Sequence, residues 1–147
     1  MKSVIVMTVI GNVSRDWQPG LDQMFPAPPG FCWRFVPEGP FAVQFRSILR
    51  MDARAVAVWV GRDDAVNRAV KLIVGLLQAG LPVVIAIAEL HDPLTESELR
   101  QAGALYFCTN EAQEQLGSVL KAILGPPARS IEMKQIESAR GIKMDAS

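Results

Sequence analysis

The sequence predicts an α/β domain in which a parallel β-sheet is covered by helices on both faces. Three observations carry that expectation. Five short segments are largely apolar, and three of them (3–10, 55–60 and 83–88) are nearly continuous runs rich in Val, Ile and Ala, the pattern of strands buried on both faces. Segments with apolar residues at helical spacing follow them. Glycine and proline mark the junctions, as in "VGRDD", "AGLP" and "LGPP".

The first strand spans residues 3–10 and is ended by Gly11-Asn12. In "RDWQPGLDQMFPAPPG", residues 15–30, four prolines and two glycines leave room for a short helix at 21–25 and otherwise loop. Residues 31–36 read as the second strand and 37–40 as a turn. Over 41–50, Phe41, Phe45, Ile48 and Leu49 are spaced as one helical face. Residues 55–60 form the third strand, broken by Gly61. Asp63 or Asp64 then caps a helix whose stripe is Val66, Ala69, Val70, Ile73, Val74 and Leu77, closed by Gly80 before Pro82. Residues 83–88 are the fourth strand. Thr95 and Glu98 have the spacing of a capping box, with Leu94 and Leu99 as its hydrophobic staple, and that helix ends at Gly103. Residues 104–108 are the fifth strand. Asn110 caps a last helix facing inward through Leu116, Val119, Leu120 and Ile123, and Gly125-Pro126-Pro127 ends it.

Five strands each followed by a helix, with right-handed crossovers, leave few topologies. The flavodoxin-like order 2-1-3-4-5 suits a single domain of this size, with helices on both faces. The domain takes residues 1–125, and 126–147 form a C-terminal tail. In that order Cys32 and Cys108 fall on strands at opposite edges. They are expected to be buried free thiols, and neither belongs to a CxxC or a Cys/His cluster.

Composition excludes several functions. The 147 residues carry 15 basic and 15 acidic side chains with no basic block, which argues against binding nucleic acid through its phosphates. The opening apolar run turns at once into a Gly-Asn turn and charges, so it reads as a strand and not as a signal peptide. No run approaches the roughly 18 apolar residues of a membrane span. A cytoplasmic protein with no membrane partner is the expectation.

In doubly wound sheets, ligands bind outside the carboxyl ends of the strands, beside the switch point between strands one and three. Residues 8–12, 60–64, 88–92 and 109–111 should meet there. They contain no nucleotide-binding glycine loop and no nucleophile elbow. Gly11-Asn12-Val13-Ser14 could present backbone N–H groups to an anion. Asp63, Asp64, Glu89, His91 and Asp92 could make an acid/base or metal cluster, the basis of an alternative reading as a small flavodoxin-like enzyme or ligand-binding protein.

"LPVVIAIAE" (81–89) followed by "QAGALYFCTN" (101–110) resembles the second half of a response-regulator receiver domain, and the order of elements extends the resemblance over residues 1–124. In that family an acidic pair ending strand one binds magnesium, an aspartate ending strand three accepts a phosphoryl group, a Ser or Thr ends strand four and a Lys ends strand five. By the resemblance these positions fall on Thr8 and Val9, on Trp59 or Val60, on Ile87 or Ala88, and on Asn110. Phosphoryl transfer to Asp needs a carboxylate, oxygen ligands for a cation, and a positive charge over the phosphoryl group. None stands in its place, and a displaced acceptor at Asp63 or Asp64 is the remaining route. The resemblance thus implies a degenerate pseudo-receiver without enzymatic activity or cofactor. It would work in bacterial signalling or assembly by binding a protein partner or a second copy, through the fourth and fifth strand–helix units. The tail, with Ile131, Met133, Ile136, Ile142 and Met144 among mixed charges, is a candidate docking segment.

Overall fold

The structure is a computed structural model and describes residues 3–11, 25–61, 65–89 and 92–124. The strands are β1 (Ser3–Ile10), β2 (Phe31–Val36), β3 (Ala55–Val60), β4 (Val84–Ala88) and β5 (Leu105–Cys108). The helices are α1 (Phe41–Arg50), α2 (Val66–Gln78), α3 (Pro93–Gln101) and α4 (Thr109–Leu124). All strand pairs are parallel and the order is β2-β1-β3-β4-β5, as expected from the alternation of elements. The short helix expected at 21–25 and the tail lie outside the described residues, apart from Phe25.

Every residue of β3 and β4 is buried, the physical reason these two read as unbroken apolar runs. Side chains alternate between two cores. One face, with Val6, Val58, Ala86 and Tyr106, packs under α1, α2 and α3 through Ile48, Leu72, Ile73, Leu76 and Leu99. The other, with Ile5, Met7, Ala57, Trp59 and Ile87, packs on α4 through Ala112, Leu116, Leu120 and Leu124. Phe25 closes this second core. Its ring meets Trp59 edge-on at 5.5 Å, and its carbonyl accepts a hydrogen bond from Trp33 Nε1 at 2.5 Å.

Two helices end in the same way. After α2, Gly80 (φ +100°) donates its N–H to the Leu77 carbonyl, and Leu81 donates to Leu76. After α3, Gly103 (φ +109°) donates to Arg100, and Ala104 donates to Leu99. Both are Schellman motifs, whose left-handed residue favours glycine.

Several local expectations are corrected. The N-cap of α3 is Asp92, not Thr95: its Oδ2 accepts from the Thr95 backbone N–H, and Pro93 takes the first helical position. The helix therefore starts three residues earlier than the Thr95/Glu98 box implied. Leu94 lies inside it, 66% exposed, and makes no staple with the buried Leu99. In α1 the packed residues are Gln44 and Ile48, with Phe45 partly buried, whereas Phe41 and Leu49 are exposed. In α4 the inward row is Ala112, Leu116, Leu120 and Leu124, leaving Ile123 exposed. That helix begins at Thr109, directly after β5, so Asn110 lies within its first turn and does not cap it. The residue before α2 is Ala65, without a side-chain cap, while Asp63 and Asp64 lie outside the described residues. Cys32 and Cys108 are free and at opposite edges, as expected, but half-buried.

Candidate functional site

The strand register assembles the carboxyl edge of the sheet in rows. Val9 pairs with Trp59, Trp59 with Ile87, and Ile87 with Phe107. The next row is Ile10, Val60, Ala88 and Cys108. The positions that sequence resemblance singled out are therefore brought together. Val9, Trp59 and Ile87 share one row, and Val60 and Ala88 lie in the next. Both candidates for the acceptor position, Trp59 and Val60, are 1% exposed. Ile87 and Ala88 are equally closed off, while Asn110 is exposed on the first turn of α4. The ladder continues beyond the strands, with Gly61 N–H donating to the Ile10 carbonyl and Glu89 N–H to the Val60 carbonyl. This row offers aliphatic and indole side chains, not oxygen ligands.

Thr8 is fully buried on the α1 side of β1. Its hydroxyl donates to the Val36 carbonyl at 2.6 Å and accepts from Gln44 Nε2 at 2.7 Å. The same amide also donates to the Val9 carbonyl at 3.1 Å. A neutral network thus ties the end of β1 to β2 and α1. It needs no cation for its balance, since each donor meets an acceptor.

The mouth of β1 is occupied by the chain itself. Gly11 N–H donates to Glu38 Oε1 at 2.9 Å, and the other carboxylate oxygen of Glu38 meets Arg68 Nε on α2 at 3.4 Å. Of the Gly11–Ser14 stretch, residues 12–14 lie outside the described residues, and the Gly11 N–H is taken by an internal carboxylate from the β2–α1 turn. Glu38 and Gln44 were not singled out from sequence. A polar residue amid the apolar positions of α1 was the available signal for Gln44. Glu38 had none, because its partners lie 27 and 30 residues away in sequence.

Of the five residues in the acid/His alternative, Asp63, Asp64 and His91 lie outside the described residues. Glu89 follows β4 and is half-buried. Asp92 is engaged as the α3 cap, with its Oδ2 also accepting from Thr95 Oγ1 at 3.0 Å. Among the described residues, no group of three or more His, Cys, Asp or Glu could hold a metal ion.

One titratable group stands in a perturbed setting. Burial pushes the phenol of Tyr106 on β5 above the ordinary tyrosine range, and the charge of Glu96 on α3 pushes in the same direction. Cys108, Glu111 and Asp92 add to it. Arg100 lies over the Tyr106 ring, 5.7 Å from its centroid.

No protein-family model matches the sequence, and no curated protein matches it. Solved structures do match by shape. A CheY-like protein, TadZ, from Pseudomonas aeruginosa PAO1 superposes with a TM-score of 0.59 at 18% identity, over 86% of this chain and 96% of that one. The signal receiver domain of NarL from Mycobacterium tuberculosis gives a TM-score of 0.60 at 12% identity, over 86% of this chain and all of that one (100%). The response regulator RcsB from Salmonella typhimurium gives 0.56 at 14% identity, and the match covers 84% of this chain and 60% of RcsB. The chain therefore has the flavodoxin-like fold of receiver domains. Among the described residues, no helix is long and apolar enough to cross a membrane.

Proposed function

We propose that this chain is a non-catalytic pseudo-receiver: a phosphorylation-independent interaction module in bacterial signalling or assembly, working in the cytoplasm by binding protein. The observation that carries this reading is the closed apolar row Val9, Trp59 and Ile87 at the carboxyl edge of a receiver-like sheet. A phosphoryl group there would need a carboxylate nucleophile and oxygen ligands for a divalent cation. Trp59 instead fills the space, stacked edge-on with Phe25. With chemistry absent from that row, a surface remains as the working part. The candidate is the side formed by α3, β5 and α4, where Leu94, Leu105 and Ile123 are exposed among acidic residues.

The test is intact mass after incubation with a small phosphodonor and magnesium. The expected result is an unchanged mass. A magnesium-dependent gain of one phosphoryl group, lost in Asp63→Asn or Asp64→Asn, would mean a displaced acceptor and would overturn the pseudo-receiver reading.

A further inference from the structure

Among the described residues, charge and exposed apolar surface are both divided between the β2–α1–α2 side and the α3–β5–α4 side. Arg34, Arg46 and Arg50 on β2 and α1, and Arg68 and Lys71 on the neighbouring α2, are exposed, with Glu38 and Asp52 as the described acids of β2, α1 and the turns beside them. On the β5 side the balance is reversed. Asp92, Glu96, Glu98, Glu111 and Glu114 stand on or beside α3 and α4, with Arg100 and Lys121 as the bases there. The exposed large hydrophobic residues follow the same division. Phe35, Phe41, Val43 and Leu49 lie on β2 and α1, and Leu94, Leu105 and Ile123 on α3, β5 and α4. Among the described residues, the β2–α1–α2 side is basic and apolar, and the α3–β5–α4 side is acidic and apolar.

The basic side also has a groove. A groove of about 640 Å³ runs between α1 and α2, lined by Phe41, Phe45, Val74 and Gly75 and overhung by Lys71. The Phe41 and Phe45 rings stack at 5.6 Å, and Lys71 Nζ lies 4.5 Å from the Phe41 centroid. Gly75 helps open the floor, since a Cβ there would sit 3.1 Å from the Phe45 ring. The acidic edge has a matching projection: Leu94, 66% exposed, and Glu98 one turn later on α3.

We propose that this chain associates head to tail, the α1/α2 groove of one copy receiving the acidic α3 face of the next. Complementary potential on two different surfaces of one chain steers like copies together and sets their register. Because the two surfaces differ, the contact is heterologous, and each added copy presents a fresh groove or a fresh acidic face. The inference rests on the interaction-module reading in using the α3 face, but it names the partner as a second copy.

Sedimentation velocity of the full chain over a range of concentrations tests this. The expected result is growth beyond a dimer as concentration rises, reversed in molar salt, where screening shortens to about 3 Å. Phe41→Glu/Lys71→Glu puts negative charge into the groove, which both residues line, and Leu94→Lys/Glu98→Lys reverses the acidic face, so each variant alone should stay monomeric. Mixed in equal amounts, they should form a dimer and nothing larger, because one intact groove and one intact acidic face remain. Thermal melts establish that the variants fold; where one does not, Lys71→Gln replaces the groove variant and Glu98→Gln the face variant, each weakening growth without reversing charge. Wild-type chain that remains monomeric at all concentrations overturns the proposal. A wild-type dimer that does not grow, with no pairing between the two variants, also overturns it. Either failure leaves the phosphorylation-independent reading standing, because that reading falls only to the mass measurement.

Discussion

Gln44 has a role that its side-chain type alone does not specify. It lies 3% exposed on the packed face of α1, a position where a carboxamide would cost free energy without partners. Thr8 Oγ1 and the Val9 carbonyl supply them. Gln44→Ala removes the donor and leaves the buried Val9 carbonyl and the Thr8 hydroxyl short of one bond. The expected loss is about 1–3 kcal/mol in denaturant unfolding, whereas exposed Gln78→Ala should change little. Tyr106 gives a second test at this scale. It is the single tyrosine of the chain, so phenolate absorbance reports it alone. Burial raises its pKa in the folded state, so the folded chain holds the phenolic proton at a pH where the unfolded chain, titrating near about 10, has lost it. Unfolding then releases a proton, and stability falls as pH rises from about 10 through the folded value. Spectrophotometric titration should place the folded transition above that of the denatured chain. Tyr106→Phe should flatten the alkaline loss of stability. A folded transition at or below the denatured one would show that the side chain is not shielded.

At the scale of elements, the start of α3 depends on Asp92. Its carboxylate faces the first turn, accepts from the Thr95 N–H and Oγ1, and places negative charge at the positive end of the helix dipole. Asp92→Ala should therefore cost about 1 kcal/mol. Thr95→Ala should cost less, because the backbone N–H of residue 95 still has its acceptor. Thermal unfolding of the two variants side by side decides the matter: a larger loss in Thr95→Ala would restore Thr95 as the cap. The edges illustrate a second element-scale rule. Strands β3 and β4, flanked by neighbours, are buried throughout, whereas β2 exposes Arg34 and Phe35 and β5 exposes Leu105.

At the scale of the molecule, the described elements build a core on each face of the sheet. Leu124, the last residue of α4, completes the second core, and its carbonyl accepts from Arg54 Nη2 at 3.1 Å. Deleting residues 126–147 should thus leave the melting temperature within a few degrees, about what a change of 1 kcal/mol produces in a domain of this size. If the tail is a docking segment, the same deletion should weaken association with a protein partner measured in solution. Loss of the folded state on deletion would assign the tail to the core instead.

The sequence by itself determined the fold class, the order of elements and the residue types at the strand ends. Buried parallel strands and amphipathic helices are written in short-range periodicity, and the parallel order follows from right-handed crossovers. The side chains that end β3 and β4, Trp59, Val60, Ile87 and Ala88, are likewise read from the sequence alone. What only the tertiary structure decided were the polar partnerships. An apolar residue signals burial whatever covers it, but a buried polar group is defined by the partner that the topology brings. Gln44 turns inward because Thr8 lies 36 residues away in sequence and 2.7 Å away in space. The Gly11 N–H meets Glu38 because the β2–α1 turn lies beside the end of β1. The division of charge among the described residues was hidden for the same reason: a net charge of zero is a sum over the chain, and only the order in which the elements pack separates the described terms in space.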